Sequence, residues 1–428
     1  MSTATRPTQP IFDQEPDAMR CPYPHYARLR HEAPVFHDTE HDIYVVTRHA
    51  DIERVNTAPR LFSSQNPMGP TVSGAVAAVG RALSDATPEF AERVRVVMSR
   101  GDVLFTQDPP DHTRHRRILA KAFTPRSVTR IEPRIRELCH GLVDGFAVSG
   151  DPGEVDLVPA FCSPAPVQAL ATLLGVPVEK SGDFARWADA INAAIGTTMT
   201  DEALLATLET QIEFWTFFEN EIADRERDPG DDLLSAIVRA RDEGDEPLTR
   251  NEMVGFCSQF IGAGADTTTK LIASFVLMLC ENPDLMAQVR SRPEELPRYL
   301  EEALRLESPV QGLFRVATED TELGGVAIPA GAHVWVVYAS GNRDEEVFDA
   351  PESFDPDRAH LRSHQAFGHG PHSCIGAPLA RSVARIAVEV LLERLDDIAL
   401  AEPGFVPRYD PSYVMHGMQR LPLTFTAR

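Results

Sequence analysis

The sequence predicts a mainly α protein with small β-sheets, folded as one domain over residues 21–428 behind a disordered tail at residues 1–20. Three observations predict it. Apolar residues recur with helical period along most of the chain. Only short β-branched runs, Ile43–Thr47, Leu313–Thr318 and Val334–Tyr338, interrupt that period. No repeat, low-complexity block or Gly/Ser linker divides the 428 residues. A chain of 47.2 kDa buries about three-quarters of its extended surface, room enough for a deep interior site. Its 43% hydrophobic and 25% charged residues are those of an ordinary globular protein. A net charge of −23 repels phosphate backbones and anionic lipid, which argues against nucleic acid or a membrane surface as partner.

The first residues are polar, with Pro7, Pro10 and Pro16, and lack the basic-then-apolar order of a signal peptide. Six scattered cysteines without a CxxC pair indicate a reducing compartment, so a cytoplasmic protein is expected. The stretch Gln65–Gly101, rich in small residues and holding a possible helix Pro88–Ser99, is a candidate lid. In Asp108–Arg117, Asp111 is the expected N-cap of a helix. At 100° per residue His112, Arg116, Leu119 and Phe123 share one face, and Arg114, Arg117 and Lys121 the other.

Thr249 and Glu252 form a capping box and Asn282-Pro283 is a stop, so one helix of about 45 Å is expected between them. Its Ile261–Cys280 half is apolar nearly all round, yet the longest apolar run, Leu271–Cys280, is too short to span a bilayer. The middle, Gly262-Ala-Gly-Ala-Asp-Thr-Thr268, is poor helix material, since glycine costs about 1 kcal/mol and a buried carboxylate more. Two readings are open: a tolerated kink, or a notch against which a ligand sits.

Toward the C-terminus stands Phe367-Gly-His-Gly-Pro-His-Ser-Cys-Ile-Gly376, followed by Pro378 and an amphipathic helix with Leu379, Val383, Ile386, Val390 and Leu391. Cys374 therefore precedes a helix N-terminus, where free N–H groups and the helix dipole favour a thiolate. Gly368, Gly370 and Gly376 permit a tight loop and the close approach of something flat or bulky. A zinc cluster of His364, His369, His372 and Cys374 is the rival reading, although its spacings fit no common zinc signature. Only three lysines are present and no Gly-Lys pair, leaving few candidates for Schiff-base or phosphate-loop chemistry.

Phe367, Gly368, Gly370, His372, Cys374 and Gly376 fill every fixed position of a loop that resembles the haem-binding loop of the cytochrome P-450 superfamily. Three further segments extend the resemblance over Asp108–Gly376. Ala263-Gly-Ala-Asp266-Thr267-Thr268 is similar to the family's oxygen-activation motif. Glu302 and Arg305 resemble its ExxR pair, with Arg358 where the family supplies a second arginine; taken alone they would be an ordinary surface pair. His112 and Arg116 resemble haem-propionate ligands, joined by Arg315 and His372.

The resemblance implies a long central helix over a buried haem b with Cys374 as axial iron ligand. It implies insertion of one atom of O2 into a C–H or double bond of an apolar small molecule, with electrons from NAD(P)H through a ferredoxin reductase and ferredoxin. Asp266 would relay protons and Thr267 hydrogen-bond oxygen or an ordered water, Ala263 lying on the same helix face. Apart from the resemblance, Lys270 stands four residues after Asp266, and two readings are open: it pairs with Asp266 and gates that relay, or it snorkels to a water channel. Arg114, Arg117 and Lys121 would dock the acidic ferredoxin. By analogy Gln65–Thr106, Ile191–Phe218, Gly262–Thr267, Val310–Phe314 and Val414–His416 would contact substrate, including Gly262, Val310, Leu313, Val414 and Met415, with Gln311 and His416 as polar points. The alternatives are a haem sensor, and a peroxygenase or isomerase of the same family.

Overall fold

The computed structural model describes residues 7–70, 79, 83, 87–98, 103–148, 150–193, 200–240 and 246–428. Helices build most of it, as the periodicity predicts. The expected tail departs from the structure: Gln9–Phe12 and Pro16–Arg20 are helical, and residues 1–6 lie outside the described residues. Ile11 is wholly buried among Tyr26, Trp335 and Tyr413, and Thr8 bonds Asp38, contacts too distant in sequence for local composition to reveal.

Among the described residues, ten strands form three sheets. β1 (Val35–Asp38), β2 (Ile43–Val46), β8 (His333–Val336), β5 (Leu313–Ala317) and β3 (Phe62–Ser63) make the largest, in that order. β4 (Pro152–Asp156), β10 (Pro422–Ala427) and β9 (Leu395–Leu400) make a second, and β6 (Thr321–Leu323) with β7 (Val326–Ile328) a hairpin. β2 runs parallel to β8 and β5 antiparallel to it, with Arg315 opposite Val334. The third strand-like run ends early, because Tyr338 opens a short helix to Gly341.

The central helix runs from Arg250 to Glu281 with the Thr249–Glu252 capping box in place. Asn282 ends it and caps the next helix, Pro283–Ser291. It continues as helix through Gly262–Thr268, and the two glycines have a packing reason. A Cβ at Gly264 would lie 3.0 Å from Leu170, and one at Gly262 2.7 Å from Ile191. Their absence lets the helices Pro164–Leu174 and Ser181–Asn192 approach closely. By length and composition alone the central helix is apolar enough to cross a membrane, but its apolar stretch is mostly buried inside the fold. Pro88–Met98 is helical as expected; most of the remaining candidate lid, and residues 194–199 of the expected substrate contacts, lie outside the described residues.

Candidate active site

The loop before the helix Ala377–Arg394 turns through Gly368 at φ +68° and Gly370 at φ +71°. A Cβ on Gly370 would meet the Asn56 carbonyl oxygen at 2.6 Å, so both conformation and crowding require glycine there. The Cys374 N–H donates to the Phe367 carbonyl (2.8 Å) and the Ser373 N–H to that of Gly370 (3.0 Å), closing the loop. The surrounding protein pushes the Cys374 thiol pKa up, while the Gly376 N–H, the Arg116 guanidinium, the Ala377 N–H and Arg381 pull it down.

The zinc alternative does not assemble. His364 binds Glu301 (2.9 Å), His369 faces Glu53 (3.3 Å), and His372 packs on His112 with ring centres 4.0 Å apart.

His112, Arg116, Arg315 and His372 do converge. Arg116 Nη2 donates to Ser373 Oγ (3.4 Å). Arg315, buried on β5, donates to the Phe314 carbonyl (2.7 Å) and to Asn56 Oδ1 (3.3 Å). Burial, then Arg116 and neighbouring cations, lowers the His112 pKa to about 4; burial, then Arg315, His112 and Arg116, lowers that of His372 to about 3. Both imidazoles are therefore neutral near pH 7. His112 Nε2 and His372 Nε2 are buried without a partner in the protein, a cost a folded protein rarely leaves uncompensated. Two guanidiniums and two orphaned ring nitrogens beside a glycine-flanked cysteine fit a flat group carrying carboxylates.

On the central helix Ala263 is exposed and Asp266 and Thr267 half-buried, while Ile261, Gly262, Ala265 and Thr268 are buried. One face of a buried helix is thus open, the i, i+3, i+4 face expected. Thr267 Oγ1 donates to the Ala263 carbonyl (2.7 Å). Lys270 Nζ donates to Asp266 Oδ1 (2.5 Å) and also to Asp410 Oδ2 (2.9 Å), a second acid that sequence reading missed.

Below the loop Glu302 and Arg305 are wholly buried, with two bonds of 2.8 and 2.7 Å, and Arg358 Nε reaches Glu302 Oε1 at 3.2 Å. Arg305 also donates to the carbonyls of Asn342 and Pro351, both at 2.8 Å. Sequence reading missed a neighbouring cluster: Glu301 accepts from Arg381 and contacts His364.

Two expectations need correction. Arg114 is not part of a surface island: it donates to Glu252 (2.8 Å) and to the carbonyls of Glu246 and Pro247, beside buried His115, which contacts the same glutamate (2.7 Å). Asp111 is the first residue of its helix rather than the cap, a place Pro110 takes. Among the substrate candidates, Gly262 is covered by Ile191 and Asn192, and Val414, Gln311 and His416 are buried. Val310, Leu313 and Met415 remain half-buried, Val310 and Met415 joined by a β-bridge.

Comparison with known proteins bears on this geometry. The family model described as Cytochrome P-450 matches residues 205–295 and 294–401. Cytochrome P-450 107B1 of Saccharopolyspora erythraea is 36% identical over 403 residues, 93% of each chain. The chain belongs to the cytochrome P-450 family. A second relative, the 6-deoxyerythronolide B hydroxylase of the same organism, is 32% identical over 94% of this chain and 95% of its own. Among solved structures, the cytochrome P-450 CYP109Q5 from Chondromyces apiculatus superposes with a TM-score of 0.82 at 33% identity, covering 97% of this chain and 98% of that one. Cytochromes P-450 carry haem b and take O2 as co-substrate, so the chain is a haem- and iron-binding oxidoreductase, a monooxygenase.

Proposed function

We propose that the Cys374 thiolate would hold the haem iron, that His112, Arg116, Arg315 and His372 would hold the haem propionates, and that Phe367, Gly368 and Gly376 shape the loop that would receive the group. The observation that carries this reading is the pair of partnerless buried nitrogens, His112 Nε2 and His372 Nε2, beside the glycine-bracketed cysteine. When bound, the haem supplies the activation of O2 and the transfer of one oxygen atom, chemistry that no side chain can perform.

The chain's own residues do the rest. Asp266 takes a proton from water and passes it to the site, and Thr267 places its hydroxyl to receive and donate it on the same face. Gly264 and Gly262 let the neighbouring helices pack closely beside the site. Glu302, Arg305 and Arg358 hold the layer beneath the cysteine loop rigid.

The substrate proposed is an apolar small molecule, hydroxylated or epoxidised, which the half-buried Val310, Leu313 and Met415 suit. NAD(P)H electrons would arrive through a ferredoxin docking at Arg117 and Lys121, both exposed on the helix that carries Arg116. The cytoplasm is the proposed location, consistent with six unpaired cysteines.

The test is the absorption spectrum of the purified protein, reduced and exposed to carbon monoxide. The Soret band is expected at the position of a thiolate-ligated haem, and Cys374→Ser is expected to abolish it. A wild-type band at the position of a nitrogen-ligated haem would overturn the assignment of Cys374.

A further inference from the structure

Lys270 sits in the middle of the central helix, its side chain 7% exposed, between two carboxylates of different origin. Asp266 lies one turn earlier on the same helix. Asp410 comes from the C-terminal turn and is held there by several bonds. Its N–H donates to the Gly417 carbonyl (3.0 Å), its carbonyl accepts from the Ser412 N–H (2.8 Å), and its Oδ1 accepts from Gln419 Nε2 (3.2 Å). The turn closes directly on the lysine: a Cβ at Gly417 would lie 2.2 Å from Lys270 Cγ, so only glycine lets that stem pass. Two other titratable groups feel these charges, Asp189 on the helix Ser181–Asn192 and His416 on the turn.

For Asp266 to serve a proton relay, its carboxylate has to loosen from the ammonium and turn along the open face toward Thr267. With Asp266 as sole partner, that motion would strand a buried positive charge, one of the most costly states in a protein interior. A second carboxylate removes the difficulty, because Lys270 stays paired throughout.

We propose that Asp410 is a positioning residue for proton delivery: it retains the Lys270 ammonium and so frees Asp266 to exchange its proton. The step moves one proton: the Asp266 carboxylate takes it from a protonated solvent water and gives it to Thr267 Oγ, which releases its own hydroxyl proton into the site, so both side chains end as they began. No electrons move, and Lys270 and Asp410 keep their protonation. The inference rests on the proposed relay role of Asp266.

The test uses the holoenzyme with NADH, a ferredoxin and its reductase, without added substrate, and measures the share of electrons released as hydrogen peroxide rather than water. Asp410→Asn is expected to raise that share severalfold and to enlarge the solvent isotope effect on NADH oxidation, with Asp410→Glu restoring both. Adding Lys270→Met to Asp410→Asn is expected to bring the share back toward wild type, because no ammonium is left to hold Asp266. A second readout is the unfolding midpoint of the resting holoenzyme, which Asp410→Asn should lower when Lys270 is present and leave unchanged in the Lys270→Met background. A double variant worse than Asp410→Asn alone, or equal midpoint losses in both backgrounds, would overturn the proposal. Asp266→Asn separates the two readings. If it leaves the peroxide share unchanged, the relay and this proposal fall together; if it raises the share while Asp410→Asn does not, only the role of Asp410 falls.

Discussion

The guanidinium of Arg381 lies 4.4 Å from the centre of the Phe367 ring and at the same time holds both carboxylate oxygens of Glu301, at 2.8 and 2.5 Å. Phe367 opens the cysteine loop, and Glu301 sits beside Glu302 on the helix Leu296–Glu307. One side chain thus ties the loop to the helix beneath it through a cation–π contact and a bidentate ion pair. Arg381→Ala leaves the buried Glu301 carboxylate with His364 as its remaining partner and is expected to cost about 1.5 kcal/mol of stability. Arg381→Lys, which keeps the charge and loses the fork, is expected to recover part of it. Denaturant unfolding of the two variants checks this; a loss under about 0.5 kcal/mol for the alanine variant would show that the clamp carries no stability.

The same carboxylate fixes an acid limit. Burial alone would raise the Glu301 pKa, but the bonds from Arg381 and His364 outweigh it and bring it to about 2, against an ordinary 4.5. A carboxylate whose folded pKa is depressed stabilises the protein above its unfolded pKa. That contribution is lost as pH falls from about 4.5 to about 2, and amounts to about 3 kcal/mol. Urea unfolding across this window is expected to show a fall in stability that Glu301→Gln flattens. Glu252, also at about 2 against the opposing effect of burial, with Arg114, the Thr249 N–H and His115 lowering it, titrates over the same window. Its glutamine variant should flatten a further part, and a single variant removing the whole slope would contradict this division.

The cysteine loop and the central helix were legible because their signals are local: glycines at turns, proline in a first helical turn, a capping box, an acid beside an alcohol. Glu302 and Arg305 show where such reading stops. Three residues apart on a helix, they have the sequence of a worthless surface pair, and only the carbonyls of Asn342 and Pro351 reveal them as buried. Arg114 fails the other way: helical spacing puts it on the outer face, but its partner Glu252 lies 138 residues later. Gly262 and Gly264 look like a ligand notch until Ile191 and Leu170 fill the space. Asp410 stands in a turn with no period at all, and the residue that gives it meaning is 140 positions away. Periodicity records which face is apolar, not what comes to meet it.

Glu302 accepts from both Arg305 and Arg358 in full burial, so its loss leaves two guanidiniums with no counter-ion. Glu302→Ala is expected to destabilise the protein by roughly 3–5 kcal/mol, enough to leave little folded protein at 37 °C in an ordinarily stable chain. Arg358→Ala, which spares the bidentate pair, is expected to cost less. Recovery of folded protein at two growth temperatures separates them, and equal recovery of both variants would contradict the ranking.

The orphaned imidazoles predict how haem is retained. Each neutral N–H to a propionate contributes roughly 1 kcal/mol, and each guanidinium roughly 1.5–3 kcal/mol. His112→Leu is therefore expected to lower haem affinity by about fivefold, and Arg116→Leu by tenfold or more. Haem-to-protein ratio after transfer to a competing haem acceptor measures this. Full retention by both variants would mean that the propionates lie elsewhere.

Arg114 and its neighbours separate docking from folding. Arg117 and Lys121 are exposed on the helix Asp111–Ala122, and Arg114, half-buried, is tied to Glu252. Reversing the charge at both exposed positions is expected to slow reduction by an acidic ferredoxin tenfold or more at low salt, the gap narrowing as salt screens the attraction. Arg114→Glu is expected to behave oppositely: it places a second carboxylate against Glu252, lowers the unfolding midpoint, and alters reduction only as far as the fold is weakened. Stopped-flow reduction across a salt series, run beside thermal melts, reads both effects. An Arg117→Glu/Lys121→Glu protein with unaltered rate and salt slope would move the docking face away from this helix, and an Arg114→Glu protein with normal stability would mean that its pairing with Glu252 contributes nothing to the fold.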